Sequence, residues 1–102
     1  MKRVYKYELH LGAEECSFPF GSDAAVVHVG MQEGTLCLWA LVDPAKLNTG
    51  DYRHFTVRGT GHGVSPGLVH CGTAIAAPIV WHVFEVIEVG ESAEVATDGR
   101  PS

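Results

Sequence analysis

The chain has 102 residues, a formal charge of −5 and only 19% charged side chains, the length of a single domain with less surface charge than average. Lysine and arginine number 7 against 12 aspartates and glutamates, which argues against nucleic acid as a partner, since that binding depends on neutralising phosphates. The 3 cysteines lack any C-x-x-C spacing, which excludes a disulfide framework; no apolar run approaches the roughly 20 residues of a membrane span, and no signal-peptide core follows Met1, so no membrane contact and an intracellular location are expected.

Residues 3–11 alternate, with Tyr5, Tyr7, Leu9 and Leu11 on one face and Lys6, Glu8 and His10 on the other, the pattern of a strand with one wet side. Residues 12–23 read as a connection with Phe18 and Phe20 turned inward. Residues 24–31 and 35–43 are apolar on both faces and are joined by Gln32-Glu33-Gly34, a hairpin-type loop. Asp43-Pro44 then predicts at most one short helical turn over residues 43–47, with Asp43 as its cap and Pro44 at the first helical position. Residues 52–58 alternate again, Phe55 and Val57 against His54, Thr56 and Arg58. Residues 68–75 and 79–88 follow as strands, turning at Ala76-Ala77-Pro78. The expectation is an all-β fold, a small antiparallel sandwich or barrel of about six strands. It forms a single domain over residues 1–89, and residues 90–102 are a poorly ordered tail.

Strands apolar on both faces need a second cover. A loop or the Phe18–Phe20 segment would supply one; a second copy of the chain is the preferred source, so a homo-oligomer is expected.

Residues 59–68, Gly-Thr-Gly-His-Gly-Val-Ser-Pro-Gly-Leu, hold four glycines and one histidine between two strands. The run is not a dinucleotide fingerprint, because no helix pattern follows it, and it is not a Walker loop, because no Gly-Lys-Ser/Thr occurs. What it offers is main-chain N–H groups without a Cβ in the way. The Thr60 hydroxyl and the His62 imidazole add to these, and Arg58 stands one residue before the loop as a planar phosphate donor. The candidate ligand-binding residues are therefore Arg58, Thr60, Gly61 and His62, with Trp39 or Tyr52 to contact a base. The competing reading is a connection whose glycines only satisfy turn geometry.

Six histidines invite a metal, but none has H-x-H or H-x-x-x-H spacing, so no metal site is assigned and no cofactor is expected. A site assembled across strands would draw on His54, His62 and His70; His82, among Val80, Phe84 and Val86, reads as a hydrogen-bonded core histidine. His70 and Cys71 are adjacent and therefore point to opposite faces of a strand, Glu85 and Glu88 face apart, and no catalytic residue is nominated. Cys37 and Cys71 read as small core residues, and Trp39 and Trp81 as packing residues that elsewhere in β folds also stack bases.

The blocks Cys37-Leu38-Trp39-Ala40-Leu41-Val42-Asp43-Pro44, Phe55-Thr56-Val57-Arg58-Gly59-Thr60-Gly61-His62 and Trp81-His82-Val83-Phe84-Glu85, after an N-terminal Lys6-Tyr7-Glu8-Leu9 and a Pro19-containing connection, resemble a family of short phage and prophage proteins of unknown function. The resemblance covers most of residues 1–88. It implies an accessory phage protein acting in the cytoplasm of an infected bacterium, and it brings no activity and no catalytic assignment. The function expected is a non-enzymatic, counter-defence binding protein that sequesters a small anionic or nucleotide-type signal molecule. The alternatives are an inhibitor docking on a host protein, a small metal-dependent hydrolase, and a structural role in the virion.

Overall fold

The computed structural model describes residues 1–12, 14–48 and 50–87; the tail expected at 90–102 lies outside the described residues. Among the described residues seven strands run β1 (Arg3–Glu8), β2 (Cys16–Phe18), β3 (Ala25–Gln32), β4 (Thr35–Val42), β5 (Arg53–Gly59), β6 (Leu68–Ala76) and β7 (Ile79–Val86), with one 3-10 turn at Pro44–Lys46. They form two antiparallel sheets, a three-stranded one in the order β1-β4-β3 and a four-stranded one in the order β2-β5-β7-β6. Both sheets contribute to one buried cluster, so the fold is the all-β sandwich rather than a closed barrel.

The core follows from period-two alternation. Leu36, Leu38, Ala40 and Val42 of β4 face inward toward Phe55 of β5, Val83 of β7 and Ala74 of β6. Phe20, from the connection after β2, is fully buried and sits 5.8 Å from Phe55 and 5.1 Å from Tyr7, ring centroid to centroid. Burying Phe20 and Phe55 stabilises the fold by about 1.5–3 kcal/mol each. Inward placement of Phe18 and Phe20 matches the sequence pattern. The strand β2 does not, because its three residues become a strand only by pairing with Arg53, His54 and Phe55.

The β3–β4 hairpin turns in two residues, Glu33 and Gly34, both at positive φ (51° and 83°), the conformation a type I′ turn requires. Asp43 accepts a hydrogen bond from the Ala45 N–H at 3.0 Å and caps the 3-10 turn as expected. Two expectations are corrected. Leu11 is 47% exposed, because the chain leaves β1 after Glu8 and turns at Leu11-Gly12. Val27 is exposed as well, because the β3 register shifts between Val26 and His28.

On the outer face of β4, the His28 ring lies 5.3 Å from that of Trp39 and Cys37 is buried. Arg53, which the sequence reading passed over, points inward: its guanidinium forms a two-pronged ion pair with Glu85 (2.7 and 2.9 Å) and donates to the carbonyls of Gly21, Ser22 and Ala24. It also stacks over Phe20 at 5.2 Å. One side chain thereby fastens the loop between β2 and β3 to the four-stranded sheet. Among the described residues no helix is long and apolar enough to cross a membrane.

Candidate functional site

Phe55, Val57 and Gly59 face inward or toward the core, so His54, Thr56 and Arg58 of β5 project from the outer face of the four-stranded sheet. The antiparallel register extends this face in three rows. Arg58 stands beside His82 and Thr73, Thr56 beside Phe84 and His70, and His54 beside Val86 and Leu68. Three of the six histidines thus share one surface with Arg58, a gathering that depends on strand pairing.

Arg58 is half-buried and firmly held. Its Nε donates to the Gly63 carbonyl at 3.1 Å, and its Nη1 donates to the Thr56 hydroxyl and the Val57 carbonyl. Thr56, 3% exposed, passes its own hydroxyl proton to the Glu14 carbonyl at 2.8 Å. Among the described residues Nη2 meets no acceptor and no carboxylate lies in ion-pair range of the guanidinium. The result is a pre-oriented cation with two N–H groups still to be used.

The loop leaves β5 at Gly59 and turns at once: the His62 N–H donates to the Gly59 carbonyl at 3.0 Å, and Gly61 takes φ 92°, a left-handed conformation that glycine adopts without strain. The Gly59 N–H donates to His62 Nδ1 at 3.0 Å, so in the neutral ring the proton sits on Nε2, which remains a donor. A Cβ at Gly59 would stand 3.0 Å from the His62 ring, so glycine at this position lets the imidazole lie against the backbone. Thr60 donates to the Val80 carbonyl and pairs with His82 Nε2 at 2.9 Å; His82 Nδ1 meets Thr73 at 3.1 Å, and Thr73 meets His70 Nε2 at 3.0 Å. His82 is hydrogen-bonded, as its sequence context implied, but on the outer face and not in the core.

Two depressions flank Arg58. One, of about 260 Å³, lies between the loop and β7 and is lined by Thr60, Gly61, His62, Val64, His82 and Phe84 together with Arg58 and Gly59. The other, of about 360 Å³, lies on the far side between the Glu14-Glu15 segment and Ser65-Pro66-Gly67. The smaller one brings together four of the expected site residues, Arg58, Thr60, Gly61 and His62. Trp39 and Tyr52 are elsewhere. Leu38 and Ala40 face the core, so Trp39 lies on the outer face of the other sheet. Tyr52 precedes β5, at the opposite end from the loop, about 20 Å away at the usual rise per residue. Phe84, which hydropathy patterning could not separate from core residues, and Val64 of the loop supply the apolar surface of the smaller depression in place of Trp39 and Tyr52.

His54 and His70 do not line the smaller depression. His54 bonds Ser17 at 2.7 Å and lies 3.7 Å from Glu15, while His70 is tied to Thr73. Among the described residues no three His, Cys, Asp or Glu side chains are arranged to hold a metal. Cys71 packs against the core while His70 faces out, so they form no pair. Burial pushes the Cys71 thiol above its ordinary pKa, with Glu85 adding to the shift.

A family model described as a domain of unknown function (DUF7352) matches residues 1–94. No curated protein and no solved structure matches the chain.

Proposed function

Within the DUF7352 family, to which this chain belongs, we propose that it is a non-enzymatic binding protein that holds a small anionic, nucleotide-type molecule at Arg58. The observation that carries this reading is the state of the Arg58 guanidinium. Three contacts orient it, no carboxylate neutralises it, and its Nη2 group meets no protein acceptor among the described residues. An arginine fixed before its ligand arrives loses little side-chain entropy on binding, and a planar guanidinium suits phosphate oxygens. His62 adds a donor beside it, and Phe84 and Val64 offer a surface for a planar ring.

The resemblance to phage and prophage proteins supports a role inside an infected bacterium, where capturing a host nucleotide signal would blunt a defence without any chemistry. The test is calorimetry of the full chain against AMP, ADP-ribose and a panel of cyclic dinucleotides. Saturable heat that Arg58→Ala abolishes supports the proposal; silence from every compound removes it.

A second reading rests on a different observation. β6 is a nine-residue edge strand of its sheet, and Ile75 near its end is 75% exposed, with Val69 and Ile79 also exposed. Such an edge suits strand addition by a host protein or by another copy of this chain. Sedimentation measures the second-copy form directly, and Ile75→Lys should return a dimer to monomer.

A further inference from the structure

The depressions on either side of Arg58 are unlike each other, and among the described residues Arg58 is the one that lines both. Their origin is topological. β2 begins at Cys16, opposite Phe55, so from Thr56 onward β5 has no strand on that side. The Glu14-Glu15 segment crosses there instead, tied down by the Thr56 hydroxyl on the Glu14 carbonyl. The loop rises from Gly59 with its first half along the smaller hollow, and its return through Ser65-Pro66-Gly67 lines the larger one together with Leu68 and Val86. Arg58 is the ridge between the two hollows.

We infer that the ligand has two halves joined through a phosphate or pyrophosphate that rests on Arg58: a planar ring on the Phe84 side and a group rich in hydroxyl or amino donors on the Glu14-Glu15 side. This deepens the function proposed above and rests on it. The charge distribution fixes which part goes where. Glu14 and Glu15 wall the larger hollow, and acidic side chains there disfavour an anion and suit hydrogen-bond donors of a neutral or cationic group; Ser65 adds a residue with a hydroxyl to the same lining. The anion is left with the ridge, where Arg58 Nη2 and His62 Nε2 are the donors. In the smaller hollow the lining shifts to Phe84, Val64 and two imidazoles, a surface for a flat heterocycle. Size agrees. At about 260 Å³ the smaller hollow falls short of the roughly 300–1,000 Å³ of ordinary small-molecule sites, and the larger, about 360 Å³, stands at the low end of that range, so a ligand that uses both gains the more usual volume. The ligand class is therefore a nucleotide whose phosphate carries a second sugar or nucleoside, and not a mononucleotide.

The experiment compares three probes by calorimetry on the full chain: AMP, ADP-ribose and a linear 3′,5′-diadenylate. Either two-part probe should bind at least about tenfold more tightly than AMP, the value of one good charge-assisted hydrogen bond. Which of the two binds more tightly distinguishes a sugar from a nucleoside as the second half. Glu14→Gln/Glu15→Gln with Ser65→Ala should bring the ratio between two-part probe and AMP close to one, with unchanged circular dichroism and melting temperature. Arg58→Ala should abolish binding of all three. AMP binding as tightly as the two-part probes, or a ratio unchanged in the triple variant, overturns the two-part ligand while leaving the anion site standing. No binding by any probe overturns both.

Discussion

Gly72 of β6 lies so close to Val29 of β3 that a Cβ built on it would stand 2.6 Å from Val29 Cγ2 and 2.7 Å from Val29 Cβ. These two strands belong to opposite sheets and pack against each other, so the absence of a side chain at Gly72 sets how near the sheets come at this margin. Gly72 also follows the register shift in β6 between His70 and Gly72. Simple alternation turns Cys71 inward and His70 outward; the irregularity then keeps Gly72 on the inner side as well, opposite Val83.

Gly72→Ala should destabilise the fold by about 1–3 kcal/mol, because Val29 is a stiff β-branched residue that cannot swing aside. Thermal melting would register this as a drop of roughly 4–8 °C per kcal/mol. Adding Val29→Ala to Gly72→Ala should cost less than the two single losses combined, since the clash disappears with the valine. Strict additivity would mean that the two residues do not touch.

Arg53 and Glu85 form an ion pair with 18% of each side chain exposed. Glu85→Ala leaves a half-buried guanidinium without its counter-charge and should cost about 3–5 kcal/mol in urea unfolding. The double change Arg53→Met/Glu85→Leu should cost less than either single substitution, since no charge is stranded. It should still fall short of the native chain, because the carbonyls of Gly21, Ser22 and Ala24 lose their donor. A double variant less stable than both singles would contradict this account.

Arg58→Ala should behave in the opposite way. Its partners are the exposed Gly63 carbonyl, the part-buried Val57 carbonyl and the Thr56 hydroxyl, which keeps its bond to the Glu14 carbonyl. The expected loss of stability is about 1 kcal/mol or less, together with loss of nucleotide binding. Arg58→Lys should recover the charge but not the affinity, because an ammonium cannot hold Gly63 and Thr56 in place while facing a ligand. Equal affinity for the lysine variant would show that charge alone suffices.

Burial raises the Cys37 thiol pKa, an effect that Lys6 opposes and Glu8 reinforces, and burial likewise raises that of Cys71. A thiol with a raised native pKa keeps its proton when the unfolded chain has lost it. The stability it contributes is therefore complete below the ordinary thiol value of about 8.5 and falls as pH climbs through and above it. Urea midpoints measured from pH 7.5 to 10 should decline, and Cys37→Ala/Cys71→Ala should decline less steeply. Identical slopes would rule out this linkage. Native protein should also react slowly with a thiol reagent at pH 8 and rapidly once urea is added.

The strands that carry their own period-two signal, the Glu33-Gly34 hairpin, the Asp43 cap and the position of the glycine loop were all legible in the amino-acid order. Each depends on backbone preferences or on residues two to four positions apart, and those are local properties. The tertiary structure decided what locality cannot. β2 exists because Cys16–Phe18 finds the edge of β5. Arg53 becomes a fastening because Glu85 arrives opposite from another strand. Strand pairing put Arg58 beside His82 and Thr73 and sent Trp39 to the outer face of the other sheet. Alternation states which residues of a strand share a face, and only the pairing of strands, settled by burial across the whole chain, states which faces meet.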